Sequence, residues 1–163
     1  MELEGPEKAG ENIALMLRKF REENLPVFHI RHEAVALTAT FFLPGTPGAE
    51  IHECAKPLTG EKVIVKNFPN SFLKTDLLKT LHENQITDLV ICGMMTHMCL
   101  DATVRAAKDL GFNCVVIGDA CATKGLEING EKVKATDVHT AFLAALNSTY
   151  AKIIYAENYC LGQ

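Results

Sequence analysis

The chain has 163 residues, of which 48% are hydrophobic and 22% charged, with a net charge of −4. That is enough chain, of ordinary composition, for one globular domain over residues 1–163 with a core of its own. No basic stripe is present for a nucleic-acid backbone, and no apolar run approaches the ~20 residues that span a bilayer. The acidic start, Met1-Glu2-Leu3-Glu4-Gly5-Pro6-Glu7, lacks the apolar stretch of a signal peptide, so the cytoplasm is the expected compartment. Cysteine usage agrees with it. No pair has CxxC spacing, and Cys92 and Cys114 lie in apolar runs where a free thiol serves as a small hydrophobe, so all six are expected reduced.

Taken in chain order, residues 7–24 place Ile13, Leu17 and Phe20 at helical spacing before Asn24 and Pro26 end the helix. Val27 to His32 reads as a strand. Residues 34–60 form a long irregular stretch around Pro44-Gly45-Thr46-Pro47-Gly48, and loops of that length are often functional. Lys62 to Lys66 is a strand, and residues 74–84 a helix with Leu77, Leu78 and Leu81 inward. Asp88 to Gly93 is an almost wholly apolar strand, as expected of one covered on both faces. A helix from about His97 to Leu110 follows, with Ala102, Ala106 and Leu110 on one face. Phe112 to Gly118 is another apolar strand, and Asn129-Gly130 signals a hairpin. A helix over 135–149 carries Val138, Phe142, Ala145 and Leu146, and Lys152 to Ala156 is the last strand. Strands interleaved with helices predict an α/β fold, a three-layer α/β/α sandwich about a central parallel sheet with right-handed crossovers.

Ligands of such sheets bind beyond the carboxyl ends of the strands. The strand ending at Gly93 runs through Met94-Met95-Thr96-His97-Met98 into Cys99, which is thereby expected in or beside the first turn of the next helix. Free N–H groups and the positive end of the helix dipole favour a thiolate there and could cradle an oxyanion. The strand ending at Lys66 brings an ammonium to the same edge of the sheet. On residue types alone, Cys99 reads either as a structural thiol or as a nucleophile, and Lys66 either as a solvated surface group or as its positive partner. His97, two residues before Cys99, faces it poorly on an incipient helix, which argues against His97 as its base.

The segment Gly93-Met94-Met95-Thr96-His97-Met98-Cys99 resembles the G-x-x-T-x-x-C nucleophile segment of isochorismatase-like cysteine hydrolases. Lys66-Asn67-Phe68-Pro69-Asn70-Ser71-Phe72 resembles that family's lysine motif, and Asp119-Ala120-Cys121-Ala122-Thr123 its D-A-C-A-[ST] segment. His139 also fits, and the likeness runs in order over residues 7–156. The resemblance implies a catalytic trio of Cys, Lys and Asp, with Cys99 as nucleophile and Lys66 as its positive partner. It implies an oxyanion hole from the backbone N–H groups of Met95 and Cys99, and a cis peptide bond between Met94 and Met95. The implied chemistry is attack on an amide or related C–N bond of a small molecule, a thioester intermediate and its hydrolysis. Asn70, Phe42 and His97 are expected to line the substrate, with the loop Thr40-Phe41-Phe42-Leu43-Pro44 walling the pocket. Relatives act on isochorismate, nicotinamide, carbamoyl compounds and others, so the resemblance does not choose a substrate. Many are dimers or tetramers, and a homodimer or homotetramer is expected here.

The chain departs from the family in two places. Members usually begin with an apolar strand ending in the catalytic Asp, whereas the first strand-like segment here, Val27 to His32, corresponds to the family's second. The N-terminal strand and its Asp are therefore expected to be lacking from residues 1–163, with Glu2 and Glu4 in no strand to replace them. Losing a central strand would leave two ladders unpaired unless another chain fills the gap. Nicotinamidase-type members hold a metal through an Asp and histidines after that second strand. Here the region offers His29, His32 and His52 without an Asp among them, so neither a metal nor another cofactor is expected. The rival reading is a non-catalytic member that binds a small molecule or a partner protein. A thiol redox sensor pairing Cys99 with Cys121 is a third.

Overall fold

The computed structural model describes residues 2–162. Its elements are α1 (Pro6–Glu22), β1 (Phe28–His32), β2 (Lys62–Lys66), α2 (Leu77–Glu83), β3 (Asp88–Met94) and α3 (Asp101–Asp109). They continue with β4 (Asn113–Ala122), β5 (Leu126–Ile128), β6 (Glu131–Val133), α4 (Ala135–Leu146), β7 (Lys152–Ile154) and α5 (Ala156–Cys160). The fold is α/β. The stretch between β1 and β2 is irregular apart from short 3-10 turns at Pro47–Ala49 and Glu53–Ala55.

β1–β2, β3–β4 and β4–β7 all pair in parallel, the last two across helical connections and the first across the irregular stretch. The expected single sheet comes in two parts, β1-β2 and β3-β4-β7, and no ladder joins them among the described residues. Antiparallel pairing occurs in the β5–β6 hairpin, turned by Asn129 (φ 53°) and Gly130 (φ 81°), and in a single bridge between Glu4 and Thr123. Two successive positive φ angles are what a tight hairpin needs, and Asn-Gly adopts them at little steric cost.

Alternation along the strands sorts the apolar side chains into two cores. Leu89, Ile91, Cys114, Val116 and Ile153 pack with Leu81 of α2, Val104 and Ala107 of α3 and Leu146 of α4. Their neighbours Val90, Cys92, Val115, Ile117 and Ile154 face the other way, onto Met16 of α1 and Tyr159 of α5. The period-2 alternation thus makes the three layers: α2, α3 and α4 on one side, α1 and α5 on the other. Phe28, Ile30 and Ile64 belong to the first core, so β1 and β2 share its helical cover. Burying a side chain such as Leu81 or Leu146 contributes about 1.5–3 kcal/mol.

Several boundaries differ from the pattern reading, each for a local reason. Lys74 takes a positive φ of 56°, so α2 starts only at Leu77. The helix expected from His97 opens as a π-helical turn, Thr96–Leu100, before α3 begins at Asp101. The wider turn rotates the helix beyond it, and α3 buries Val104 and Ala107 while Leu110 is exposed. The face of Ala102, Ala106 and Leu110 is therefore not the inner one. Similarly, α4 stops at Leu146 because Ser148 has a φ of 70°. Beyond β7, α5 has no counterpart among the expected elements; the Asp119 carboxylate accepts the Ala156 N–H at 2.9 Å and anchors its start.

Candidate active site

Cys99 lies half-buried in the π turn at the carboxyl end of β3. The amides of Met98 and Leu100 both turn back to the Met95 carbonyl, at 3.1 and 3.2 Å, which winds the turn around Met95. The Met94–Met95 peptide bond is cis. Thr96 is wholly buried, and its hydroxyl meets Nδ1 of His139 on α4 at 2.9 Å.

Lys66 ends β2 and is only 5% exposed, not a solvated surface group. Its ammonium donates to the carbonyls of Phe68 and Pro69, both at 2.9 Å. The same loop is tied to α3. The Thr103 hydroxyl meets the Ser71 hydroxyl at 2.9 Å, accepts the Ser71 N–H at 3.1 Å and donates to the Pro69 carbonyl at 3.3 Å. Residues four apart share a helical face, so Thr103 lies one turn along from Cys99. The lysine loop is thus fastened to the stretch of chain that presents Cys99. Sequence reasoning missed this tie; the spacing of Cys99 and Thr103 marks their shared face but not the partner across it.

The residues expected to line the substrate have more particular positions. Asn70 spends its side-chain oxygen on the Phe72 N–H at 2.9 Å, shaping the lysine loop. Phe42 packs its ring 5.3 Å from that of His32, which pairs with Lys66 in the β1–β2 register. Burial, with the Lys66 charge second, pushes the His32 imidazole below its ordinary range. His97 has Nδ1 on the Thr123 hydroxyl and its ring edge-on to Phe142. Burial and then Lys124 lower its basicity as well.

The three histidines of the β1 region are dispersed. His29 bonds Glu61 at 2.8 Å, His52 bonds Cys54 at 3.1 Å, and His32 faces Phe42. Among the described residues no group of three His, Cys, Asp or Glu side chains converges as a metal site would require. Cys121 is a poor redox partner for Cys99: it is 6% exposed, its thiol meets the Ile117 carbonyl at 3.3 Å, and burial pushes it far above the usual thiol range.

Residues 2–157 match the isochorismatase domain family. The isochorismatase family protein YddQ of Bacillus subtilis (strain 168) is 52% identical over 153 residues, covering 94% of this chain and 85% of that protein. A crystal structure of an isochorismatase hydrolase from Oleispira antarctica superposes with a TM-score of 0.94 at 50% identity, covering 98% of this chain and 84% of that one. Streptothricin hydrolase of Streptomyces noursei is 30% identical over 137 residues, covering 84% of this chain and 47% of that protein. The chain belongs to the isochorismatase-like cysteine hydrolase family.

Proposed function

We propose that the chain is a cysteine hydrolase that opens an amide or related C–N bond of a small molecule through a thioester on Cys99. The observation that supports it most is the fastening of the Lys66 loop to Thr103, one turn past Cys99. In this reading the Cys99 sulfur attacks the substrate carbonyl carbon while the N–H groups of Met95 and Cys99 receive the developing oxyanion. Collapse breaks the C–N bond, and the proton given up by the thiol leaves with the amine. Water then adds to the thioester, its hydroxide forming the acid and its proton returning to sulfur. Lys66, its ammonium held by two carbonyls, is the positive partner of the Cys99 sulfur in this reading. Phe42 and His97 bound the substrate, with Asn70 acting through the shape of the lysine loop. No metal or other cofactor enters this chemistry.

Assembly as a homodimer or homotetramer is part of the proposal, supported by Val63 and Val65 standing exposed on β2. A cytoplasmic site of action accords with six free thiols. No helix among the described residues is long and apolar enough to cross a membrane.

The test is alkylation by iodoacetamide at neutral pH with peptide mapping, alongside ammonia release from nicotinamide and other small amides. Cys99 should label ahead of Cys54 and Cys160, and Lys66→Ala should remove that lead. Uniform labelling indifferent to Lys66 counts against an activated thiol. One observation favours the second reading, a member that binds without turnover: among the described residues no carboxylate forms an ion pair with Lys66. A labelled Cys99 with no amide turned over would select it.

A further inference from the structure

The turn that carries Cys99 has a support outside the residues assigned to the reaction. Thr96 directly follows the Met94–Met95 bond and opens the π turn, and none of its surface reaches solvent. A hydroxyl so enclosed needs a partner, since a buried unpaired polar group costs about 1–3 kcal/mol. Its partner is far away in sequence, Nδ1 of His139 at 2.9 Å. The carbonyl of Gly118 acts on the same ring and favours a proton there. Gly118 lies where β4 bulges: between the pairs Ile91–Val116 and Gly93–Cys121, one residue of β3 stands against four of β4. An imidazole protonated on Nε2 leaves Nδ1 free to accept from the Thr96 hydroxyl. Burial pushes His139 below the ordinary imidazole range, in keeping with that neutral form.

We infer that His139 is a positioning residue for the nucleophile turn, holding Thr96 from α4 and so setting where Cys99 points. The inference rests on Cys99 being the nucleophile, but its physical content, order in the turn, can be measured without turnover. Among the described residues His139 makes no side-chain hydrogen bond to Cys99 or to the lysine loop, only the one to Thr96. Its influence passes through one side-chain hydrogen bond, so a like-shaped residue lacking that bond should fail where a shorter hydroxyl succeeds.

The experiment uses the full chain with His139→Ala, His139→Asn, Thr96→Val and Thr96→Ser, and two readouts. The first is amide hydrogen exchange at Leu100, whose N–H donates to the Met95 carbonyl. The second is the iodoacetamide rate of Cys99 relative to Cys160 in the same molecule. His139→Ala and Thr96→Val should each speed Leu100 exchange and lower the Cys99/Cys160 ratio about tenfold, the effect of one such bond. The double variant His139→Ala/Thr96→Val should fall no further than the worse single, because both remove the same link. Thr96→Ser should keep the native ratio, and His139→Asn, which retains an acceptor near Nδ1, should recover part of it. Where the alanine variant is too unstable to compare, Thr96→Val against Thr96→Ser decides alone. Native exchange and a native ratio in Thr96→Val overturn the inference. Faster Leu100 exchange in a chain whose native Cys99 never labels ahead of Cys160 upholds it, and removes the hydrolase reading instead.

Discussion

Arg21 grips Glu61 with two hydrogen bonds of 2.8 Å, Nε to Oε1 and Nη2 to Oε2, tying α1 to the residue that precedes β2. The same carboxylate accepts the Leu58 N–H at 2.8 Å and meets His29 Nε2 at 2.8 Å. Four contacts converge on one side chain that is only 13% exposed. The Arg21 guanidinium above all, with the Leu58 amide and His29 behind it, holds the Glu61 carboxyl down at about 2 against an ordinary 4.5.

A carboxyl depressed on folding stabilises the native state fully above its unfolded pKa, and the gain is lost as pH falls through the folded value. For Glu61 the window runs from about 4.5 down to about 2, and the gain at neutral pH is about 3 kcal/mol. Glu61→Gln should therefore unfold at lower urea at pH 7, and the difference should shrink steadily below pH 4.5. Urea midpoints measured at several pH values test this. A gap that stays constant down to pH 2 would show that Glu61 acts through packing and not through its charge.

The divided sheet predicts uneven stability. Among the described residues, β3, β4 and β7 are joined by two parallel ladders, whereas β1 and β2 pair only with each other. Two-stranded pairs are marginal by themselves and depend on the layers that cover them. Amides of β1 and β2 should therefore exchange at least tenfold faster than those at Val115, Val116 and Ile117. Equal protection in the two sets would mean that the helical layers alone make the sheet cooperative.

Much of the fold and part of the site are legible in the sequence because their signals are local. The apolar strands, the Asn129-Gly130 turn and the G-x-x-T-x-x-C segment each carry their physics in a few adjacent residues. The features that escape such a reading are local backbone turns that leave no trace in hydrophobic period, and side-chain pairs made over long range. The positive φ of Lys74 shortens α2, and the π turn at Thr96 rotates α3, without any mark in hydrophobic period. Nothing in composition links Ser71 to Thr103, or Thr96 to His139, because such pairs exist only after the crossovers bring the strand ends together. Asn70 is open to a different local reading, since an Asn two residues before a free amide commonly closes its own turn.

The Thr103 hydroxyl predicts a link between the lysine loop and reactivity. Thr103→Val keeps the shape of the side chain and removes its contacts with Pro69 and Ser71. Stability should drop by about 1 kcal/mol, the usual worth of such a bond. The Cys99 alkylation rate should fall with it, because the loop that holds Lys66 loses its tie to α3. Thr103→Ser, keeping the hydroxyl, should behave as the native chain. Thermal melting and peptide-resolved alkylation of the two variants are the measurements, and matched rates in Val and Ser would remove the link.

Gly118 allows a sharper test of how α4 sits against the sheet. A Cβ there would come within 3.2 Å of both Ile153 Cγ2 on β7 and Leu143 Cδ1 on α4. Those distances are too short for an unmoved core, and overpacking of this kind costs about 1–3 kcal/mol. Leu143 and His139 are four residues apart, so they share the face of α4 that meets β4. If α4 yields to make room, His139 moves with Leu143 and its hold on the Thr96 hydroxyl lengthens. Gly118→Ala should then lower the melting temperature and slow Cys99 alkylation together, although the nearest atoms to the added Cβ belong to Ile153, Leu143 and Tyr155. Adding Leu143→Ala to Gly118→Ala should relieve the overlap on the helical side. If the double variant recovers the Cys99 rate while remaining less stable than the native chain, the seat of α4 governs the nucleophile turn. Loss of stability in Gly118→Ala with an unchanged Cys99 rate would instead place the adjustment in β7, with α4 and His139 left where they are.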